Sequence, residues 1–333
     1  MKCFKKPTCR KTVMSGIILT WLFSIVVADA VNAGEKLNYR LKWLFNASVV
    51  GDLYADVHHI FTDHGLDVQV KAGGPERDAI RELELGHAQF GVASADQVIR
   101  AMSKGAPVIV IAQLFQINAL QWIYRDDQPP IKRLSDLKGR TIGITYGGND
   151  ETIMRTLLAK GGINQKEITL FSVRYDYTPF FQRKADIWPV YRNTQGVFLS
   201  AKLAKEDETL RFLDPHDFGV RFVANSVVTS EQMIAKHPQT VIKFKQALLQ
   251  GWREALNPAN QKKTLNTLKQ FDKDTSETIL TQQLAITRTL IQPSPDIKIG
   301  TIDTAAWKET EQIMQAQGLI KKPVNVEKAL RNL

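Results

Sequence analysis

The sequence predicts an α/β protein with two lobes, mostly parallel sheets and a helical C-terminal part. Three observations support this fold class. Strands and helices alternate from residue 37 onward, which is typical of a mainly parallel sheet. Polar and proline-rich segments at 126–130 and 214–217 interrupt that alternation twice. After residue 228 the chain has an almost wholly helical pattern, and its 333 residues are enough for two lobes.

The part before the first interruption predicts four strands with helices between them. Apolar and polar residues alternate over 37–43, as in a half-buried strand. Gly65 is placed to end the first helix, and Pro75 suits the first turn of the second. The other predicted strands are 66–70, 90–93 and 108–114, and the predicted helices are 51–64, 75–85 and 96–103.

The pattern then starts again, which predicts an inserted second lobe. The predicted strands of this lobe are 141–145, 168–173 and 186–190, and the strand predicted at 220–228 follows it. The predicted helices are 151–160, 179–184, 231–236, 238–256, 258–271, 276–290 and 304–317. We assign 34–126 and 219–333 to lobe 1 and 127–218 to lobe 2, with a ligand cleft between them. A single doubly wound domain with a helical tail is the alternative.

Residues 1–33 have the composition of a signal peptide. Five basic residues precede an apolar run at 14–27, which is short for a membrane span and is soon followed by Asp29. Cleavage is expected after Ala33, or alternatively after Ala30. The sequence thus predicts an exported, periplasmic protein; an uncleaved anchor is the alternative.

The mature chain lacks the residues that several kinds of chemistry require. Both cysteines, Cys3 and Cys9, lie in the leader, so no disulfide or thiolate nucleophile is expected. The leader carries five basic residues and one acidic residue, so its removal lowers the net charge from +10 to about +6. No run of like charge indicates nucleic-acid binding. The sequence contains no glycine-rich nucleotide-binding loop, no nucleophile elbow and no zinc-ligand spacing. We therefore predict no catalytic residue, metal or cofactor.

Aromatic, amide and hydroxyl side chains gather where the predicted strands end. In open α/β sheets, ligands bind beyond the carboxyl ends of the strands. We predict stacking by Trp43, Trp188 and Tyr191, and core packing is the alternative for each aromatic. The predicted ligand-binding residues are Trp43, Asn46, Ser94, Asp96, Tyr146, Asn149, Glu151, Tyr177, Trp188, Tyr191 and Asn193. Trp122, Trp252 and Trp307 lie in apolar patterns that predict a core position.

The glycine loop at 147–150 follows a strand and begins a helix. Glycine lets the backbone approach a ligand closely, and the first N–H groups of a helix are available donors. Asp150 and Glu151, however, make this helix start less suitable for an anion and more suitable for an amino-bearing ring. We expect hydrogen bonds from Asn46, Ser94, Asn149 and Asn193, and an acceptor for ring amino groups at Asp96 or Glu151.

Over nearly its whole mature length, the chain resembles periplasmic ABC-transporter substrate-binding proteins of the nitrate/sulfonate/taurine and thiamine-pyrimidine-synthase-like family. The resemblance is carried by an ordered set of segments rather than by one motif. These are Trp43 with the Gly-Asp-Leu-Tyr of 51–54, residues 64–68, 86–94 and 136–143, Ala185-Asp186 before Trp188, and Gly318-Leu319-Ile320 after the helix that carries Trp307.

The resemblance implies a type II periplasmic-binding-protein fold that closes on a small-molecule ligand and delivers it to an ABC permease and ATPase. It also implies a monomer. A thiamine-precursor pyrimidine or a similar heterocycle is the preferred ligand, and a sulfonate or nitrate is the alternative. Synthases of this family use a Lys and a His where this chain has Ala93 and Gln97, and no cysteine lies near 219–224, so an enzyme is disfavoured. A ligand-sensing partner of a membrane signalling protein shares the fold.

Overall fold

The computed structural model describes residues 36–333 except 75–76 and 174–175. The predicted signal peptide therefore lies outside the described residues. Within the described part of the chain, no helix is both long enough and apolar enough to cross a membrane.

Over the described residues, ten strands form two sheets of five. The strands are β1 (Leu37–Arg40), β2 (Val68–Lys71), β3 (Phe90–Ala93), β4 (Val108–Gln113), β5 (Leu120–Arg125), β6 (Thr141–Ile144), β7 (Thr169–Ser172), β8 (Ile187–Tyr191), β9 (Leu210–Leu213) and β10 (Ser226–Ser230). The first sheet has the order β2-β1-β3-β10-β4, and the second has the order β7-β6-β8-β5-β9. We call the parts of the chain around these sheets lobe 1 and lobe 2.

Each sheet is mixed, which refines the prediction of mostly parallel sheets. β1 runs parallel to β2 and β3, whereas β10 runs antiparallel to β3 and β4. In lobe 2, β6 runs parallel to β7 and β8, whereas β5 runs antiparallel to β8 and β9. β5 and β10 are the strands that enter each sheet from the other lobe. A strand that follows a crossover helix packed on its own sheet runs parallel to the strand before that helix. β5 and β10 arrive from the other lobe instead, so they can run antiparallel to their neighbours.

The two connections between the lobes lie side by side. The backbone N–H groups of Leu114 and Phe115 donate to the carbonyl oxygen of Asn225 at 3.0 and 3.3 Å. The side-chain amide of Asn118 donates to the carbonyl oxygen of Phe222 at 2.8 Å. Since β5 already belongs to the second sheet, the first crossing precedes the boundary predicted at 126/127.

Most of the predicted helices are present, and the C-terminal part is helical as predicted. The helices are α1 (Val50–Val57), α2 (Ile60–Asp63), α3 (Ala79–Glu84), α4 (Ala95–Met102), α5 (Asn149–Lys160), α6 (Thr178–Phe181), α7 (Val197–Leu203), α8 (Glu231–Lys236), α9 (Pro238–Leu256), α10 (Gln261–Phe271), α11 (Glu277–Ile291) and α12 (Thr304–Ala316). The helix predicted over 51–64 is divided at His59, whose φ of 58° is left-handed. The helix predicted from residue 75 begins only at Ala79, because Asp78 caps its first N–H groups.

Fully buried tryptophans lie in the cores of both lobes. Trp252 and Trp307 are fully buried in lobe 1 and Trp122 in lobe 2, which confirms their predicted core positions. Trp252 lies on α9, which packs closely along α1. This contact holds the start of α1, and with it the loop after β1, against the body of lobe 1.

Candidate functional site

A cleft of about 580 Å³ lies between the lobes. Lobe 1 contributes Lys42 from the loop after β1 and residues from α3 and α4, and lobe 2 contributes the turn between β6 and α5. Three of the predicted ligand-binding residues line this cleft, namely Ser94, Asp96 and Asn149. The carboxyl ends of β1, β3 and β6 therefore meet at the cleft, as the sequence predicted for a ligand site.

The beginning of α4 holds a carboxylate at the wall of the cleft. Ser94 precedes the helix, and its backbone N–H donates to the side-chain oxygen of Gln97 at 3.1 Å. The Ser94 hydroxyl donates to the Asp96 carboxylate. Asp96 is only 7% exposed. This carboxylate is a hydrogen-bond acceptor whose direction is set by the helix start, as a ligand-orienting group requires.

Three N–H groups of the turn after β6 donate within lobe 2, which corrects the expectation that the backbone of this loop faces a ligand at those positions. The Thr145 N–H donates to Asp150 at 2.6 Å, and the Gly147 N–H donates to Glu151 at 2.7 Å. The Gly148 N–H donates to the Thr145 carbonyl oxygen at 2.8 Å. Burial raises the pKa of Asp150, and the hydrogen bonds from Thr145 oppose that rise.

Both carboxylate oxygens of Glu151 accept hydrogen bonds within lobe 2. One oxygen accepts from Gly147, and the other accepts from Arg155 at 2.8 Å. Asp96 is therefore the better of the two predicted acceptors. The turn itself requires both glycines: Gly147 has a φ of +79°, and a Cβ on Gly148 would lie 2.4 Å from an Asp150 oxygen.

Two aromatic side chains are exposed next to the cleft. Trp43 is 36% exposed and follows the cleft residue Lys42 in the chain. Tyr146 is 56% exposed and precedes the cleft residue Gly147. Exposed aromatic rings of this size at the ends of β1 and β6 offer apolar area that a planar ligand can cover.

Trp188 is a core residue, so its predicted stacking on a ligand is wrong for this conformation. It is fully buried, and its ring centroid lies 6.1 Å from that of Phe171 and 6.2 Å from that of Phe180. The sequence argument assumed that Pro189 ends the strand. Instead β8 continues through Pro189, which pairs with Trp122 in the middle of the sheet. Tyr191 at the end of β8 is half-buried against the cores of both lobes.

Tyr177 is also half-buried, at the start of α6. Burial raises the pKa of its hydroxyl, and a hydrogen bond with Gln195 opposes that rise. Asn46 caps the helical turn at 47–49, because its side-chain oxygen accepts from the Ser48 N–H at 2.7 Å. These side chains thus make contacts within the protein, and the cleft does not include them.

Asn193 joins the two lobes instead of facing the cleft. It is fully buried, and its side-chain NH₂ donates to Ser48 Oγ at 3.0 Å and to Thr287 Oγ1 at 2.9 Å. Asn193 follows β8 of lobe 2, whereas Ser48 and Thr287 belong to lobe 1. These hydrogen bonds stabilise the observed arrangement of the lobes, which corrects the ligand-binding role predicted for this residue.

Replacing Asn193 with alanine is expected to loosen the contact between the lobes. The change removes two buried hydrogen bonds, so we expect the free energy of unfolding to fall by about 1–3 kcal/mol. We also expect a larger radius of gyration in small-angle X-ray scattering, since the open form becomes more populated. Asn332→Ala, at an exposed position near the C-terminus, serves as the control. An unchanged radius of gyration would show that Asn193 does not hold the lobes together.

The described residues include no group of three or more His, Cys, Asp or Glu side chains that could hold a metal ion. Ala93 is buried in β3 and Gln97 belongs to the cap of α4. Neither position supplies the lysine or the histidine that the resemblance assigns to the synthases.

The family described as NMT1/THI5 like matches residues 46–261. The chain belongs to this family. The matched segment contains the cleft-lining residues except Lys42, together with both crossings between the lobes, so membership rests largely on the parts of the chain that build the cleft.

This NMT1/THI5-like chain has curated relatives that are named as binding proteins. The riboflavin-binding protein RibY of Chloroflexus aurantiacus is 27% identical over 262 residues, covering 73% of this chain and 69% of the relative. The formylaminopyrimidine-binding protein of Halalkalibacterium halodurans is 23% identical over 316 residues, covering 90% of each chain.

Solved structures confirm the predicted fold of this family member. The periplasmic aliphatic sulphonate-binding protein SsuA of Escherichia coli superposes with a TM-score of 0.70 at 15% identity, covering 90% of this chain and 94% of that one. SsuA of Xanthomonas axonopodis pv. citri, bound to MOPS, gives a TM-score of 0.66 at 18% identity, covering 90% and 98%. The desulfurization enzyme DszB also shares the fold, with a TM-score of 0.61 at 13% identity and coverage of 90% and 96%. The fold therefore does not by itself distinguish binding from catalysis.

Proposed function

We propose that this protein is the substrate-binding component of an ABC importer and that it binds a small, ring-containing nutrient. The preferred ligand is a thiamine-precursor pyrimidine or a similar heterocycle. The observation that carries this proposal is the cleft that combines the oriented Asp96 carboxylate with the exposed rings of Trp43 and Tyr146 next to it. The names of the relatives, which refer to riboflavin and to formylaminopyrimidine, support the same ligand class.

Each part of the cleft has a role in this proposal. Ring N–H or amino groups donate to Asp96, which Ser94 holds in place, while Asn149 on lobe 2 supplies an amide. Trp43 and Tyr146 cover the faces of the ring. Closure of the lobes then buries the ligand and excludes water, without any need for a catalytic group.

A sulfonate or nitrate ligand is less compatible with the lobe 2 turn. An anion at the turn before α5 would need free N–H groups there, but the N–H groups of Thr145 and Gly147 already donate to Asp150 and Glu151. The two carboxylates would also repel an anion placed there. The likeness to SsuA concerns the fold and does not carry its ligand to this chain.

The remaining features of the proposal follow from the family and from the sequence. We propose export after removal of residues 1–33 and a monomeric protein in the periplasm that docks on a permease and its ATPase. The proposed lobes keep the predicted bounds, 34–126 with 219–333 and 127–218, except that β5 (Leu120–Arg125) belongs to lobe 2. We further propose binding without catalysis, and incubation with pyridoxal phosphate should then produce no imine absorbance band. A sensing role is distinguished by gene neighbours: a receptor kinase without permease genes would favour sensing.

A ligand panel tests the proposed function directly. Thermal-shift and calorimetric titrations of the mature protein would include formylaminopyrimidine, riboflavin, thiamine, taurine, an alkanesulfonate and nitrate. We expect stabilisation by at least one heterocycle, and we expect it to exceed any stabilisation by nitrate or the sulfonates. Stabilisation by sulfonates alone would contradict the heterocycle proposal.

Replacing Asp96 with asparagine is expected to weaken binding of the heterocycle about tenfold to a hundredfold. A hydrogen bond to a charged acceptor contributes about 1.5–3 kcal/mol, and the amide keeps the size of the side chain while losing its charge. Titration calorimetry would measure the change in Kd. Asp67→Asn, at an exposed carboxylate outside the cleft, is the matched control. Equal affinities of the wild type and Asp96→Asn would remove Asp96 from the site.

A further inference from the structure

The face of α4 that lines the cleft carries charged side chains at regular four-residue intervals. Asp96, Arg100 and Lys104 all line the cleft, the last from the turn that follows the helix. Residues four apart lie on the same side of a helix. Asp96 is nearly buried, Arg100 is half-buried and Lys104 is exposed, so the charge changes from negative at the deep end to positive at the mouth.

The positive end has few acids to neutralise it. Lys42, on the loop after β1, lines the same cleft. In the part of the chain that the structure describes, Lys42, Arg100 and Lys104 form no ion pair. Of the acids lining the mouth, Glu84 lies 3.9 Å from Arg81, and Asp78 accepts from the first N–H groups of α3.

We propose that the ligand is a bipolar heterocycle whose ring N–H groups meet Asp96 and whose other end carries an anion, such as a phosphate monoester, held by Arg100, Lys104 and Lys42. This inference rests on the proposed function and deepens it. A guanidinium and two ammonium groups supply enough donors for the oxygens of a phosphate. The anion would lie at the mouth of the cleft on the side of lobe 1, where it contacts these cations and not the acidic side chains of the lobe 2 turn. With a neutral ring alone, Lys42, Arg100 and Lys104 would have no ion-pair partner among the residues that the structure describes.

Matched pairs of ligands that differ only in a phosphate separate this inference from the proposed function. Suitable pairs are riboflavin with flavin mononucleotide, and thiamine with thiamine monophosphate. We expect the phosphorylated member of a pair to bind about tenfold more tightly, because a charge-assisted hydrogen bond contributes about 1.5–3 kcal/mol. Its affinity should fall as the salt concentration rises, whereas the affinity of the neutral member should not.

Variants identify the side chains that hold the anion. Arg100→Gln is expected to abolish most of the preference for the phosphorylated member without changing the affinity for the neutral one. Arg100→Lys should keep part of the preference, since it retains the charge but not the planar group. Lys262→Gln, an exposed cation on α10, is the control and should change neither affinity. Circular dichroism and thermal unfolding of each variant verify that it is folded.

The outcomes are distinct. Equal affinities for both members of every pair, or an equal loss of both affinities in Arg100→Gln, would overturn the bipolar ligand and leave heterocycle binding intact. Binding of neither member of any pair, together with no heterocycle found in the ligand panel, would overturn both proposals.

Discussion

Alanine at Gly51 is expected to lower the free energy of unfolding by about 3 kcal/mol or more, at the upper end of what overpacking a core costs. A Cβ on Gly51 would lie 2.1 Å from Cδ2 and 2.2 Å from Cγ of Trp252. The two helices also approach closely at Gly251, where an added Cβ would lie 2.5 Å from the Cβ of Ala55, so the interface has little room at either glycine. Urea unfolding followed by tryptophan fluorescence would measure the loss.

Two further variants isolate the cause of this loss. Gly105→Ala places a methyl group in open space at a φ of +89°, so it reports only the backbone strain, about 1–2 kcal/mol. Combining Gly51→Ala with Trp252→Leu removes the clashing ring, so the double variant should lose less stability than the two single changes together. A Gly51→Ala protein as stable as the wild type would mean that α1 and α9 can move apart.

The wild-type protein is expected to lose about 4 kcal/mol of stability, relative to Asp52→Asn, as the pH rises from 4 to 8. Asp52, in α1, is fully buried, and the Tyr39 hydroxyl donates to its carboxylate at 2.5 Å. Burial raises the pKa of the Asp52 carboxyl from 3.8 to about 7, although the contacts of Tyr39 and Trp252 oppose the rise.

The sign of this effect follows from proton binding. Between about pH 4 and pH 7 the folded protein keeps the Asp52 proton, whereas the unfolded chain has released it. The contribution of Asp52 to stability is therefore fully present below the unfolded pKa and is lost as the pH rises through the folded pKa. Burial raises the pKa of Asp150 and of Asp214 as well, but those effects cancel when the two proteins are compared.

Urea titrations of the wild type and Asp52→Asn at pH 4.5, 6 and 8 would measure the difference. Asp67→Asn, at an exposed carboxyl, is the control and should follow the wild-type curve. Parallel stability curves for the wild type and Asp52→Asn would show that the buried carboxyl has no raised pKa.

Local sequence signals predicted most helices and failed for particular strands. α9 begins and ends at the predicted residues, because Pro238 starts it and an apolar stripe runs along it. β5 was missed because it is buried on both faces and yet contains Gln121 and Arg125. Their partners, Asp214 and Glu208, lie far along the chain, so no local pattern shows that these polar groups can be buried.

The sequence located cleft-lining residues where side chains follow a strand end directly, and it misplaced residues where tertiary packing decides the direction of the side chain. Ser94, Asp96 and Asn149 were found because the ends of β3 and β6 are visible in the sequence. Trp188 was misplaced because the pairing of β8 with β5 is not visible in the sequence. Asn193 was misplaced because its contacts with Ser48 and Thr287 join segments that are distant in the chain. The sequence did not indicate that Arg100 and Lys104 line the cleft, although their four-residue spacing after Asp96 on a predicted helix was a usable signal.

The central position of β10 determines the order in which this protein can fold. β10 lies between β3 and β4, so the sheet of lobe 1 stays divided until residues 226–230 have joined it. All of lobe 2 is synthesised in that interval. Pairings between such distant segments form slowly, because a long loop must first be closed. Lobe 1 of a nascent chain therefore stays incompletely folded until residues 226–230 have been synthesised, a state that is compatible with the export proposed for this protein.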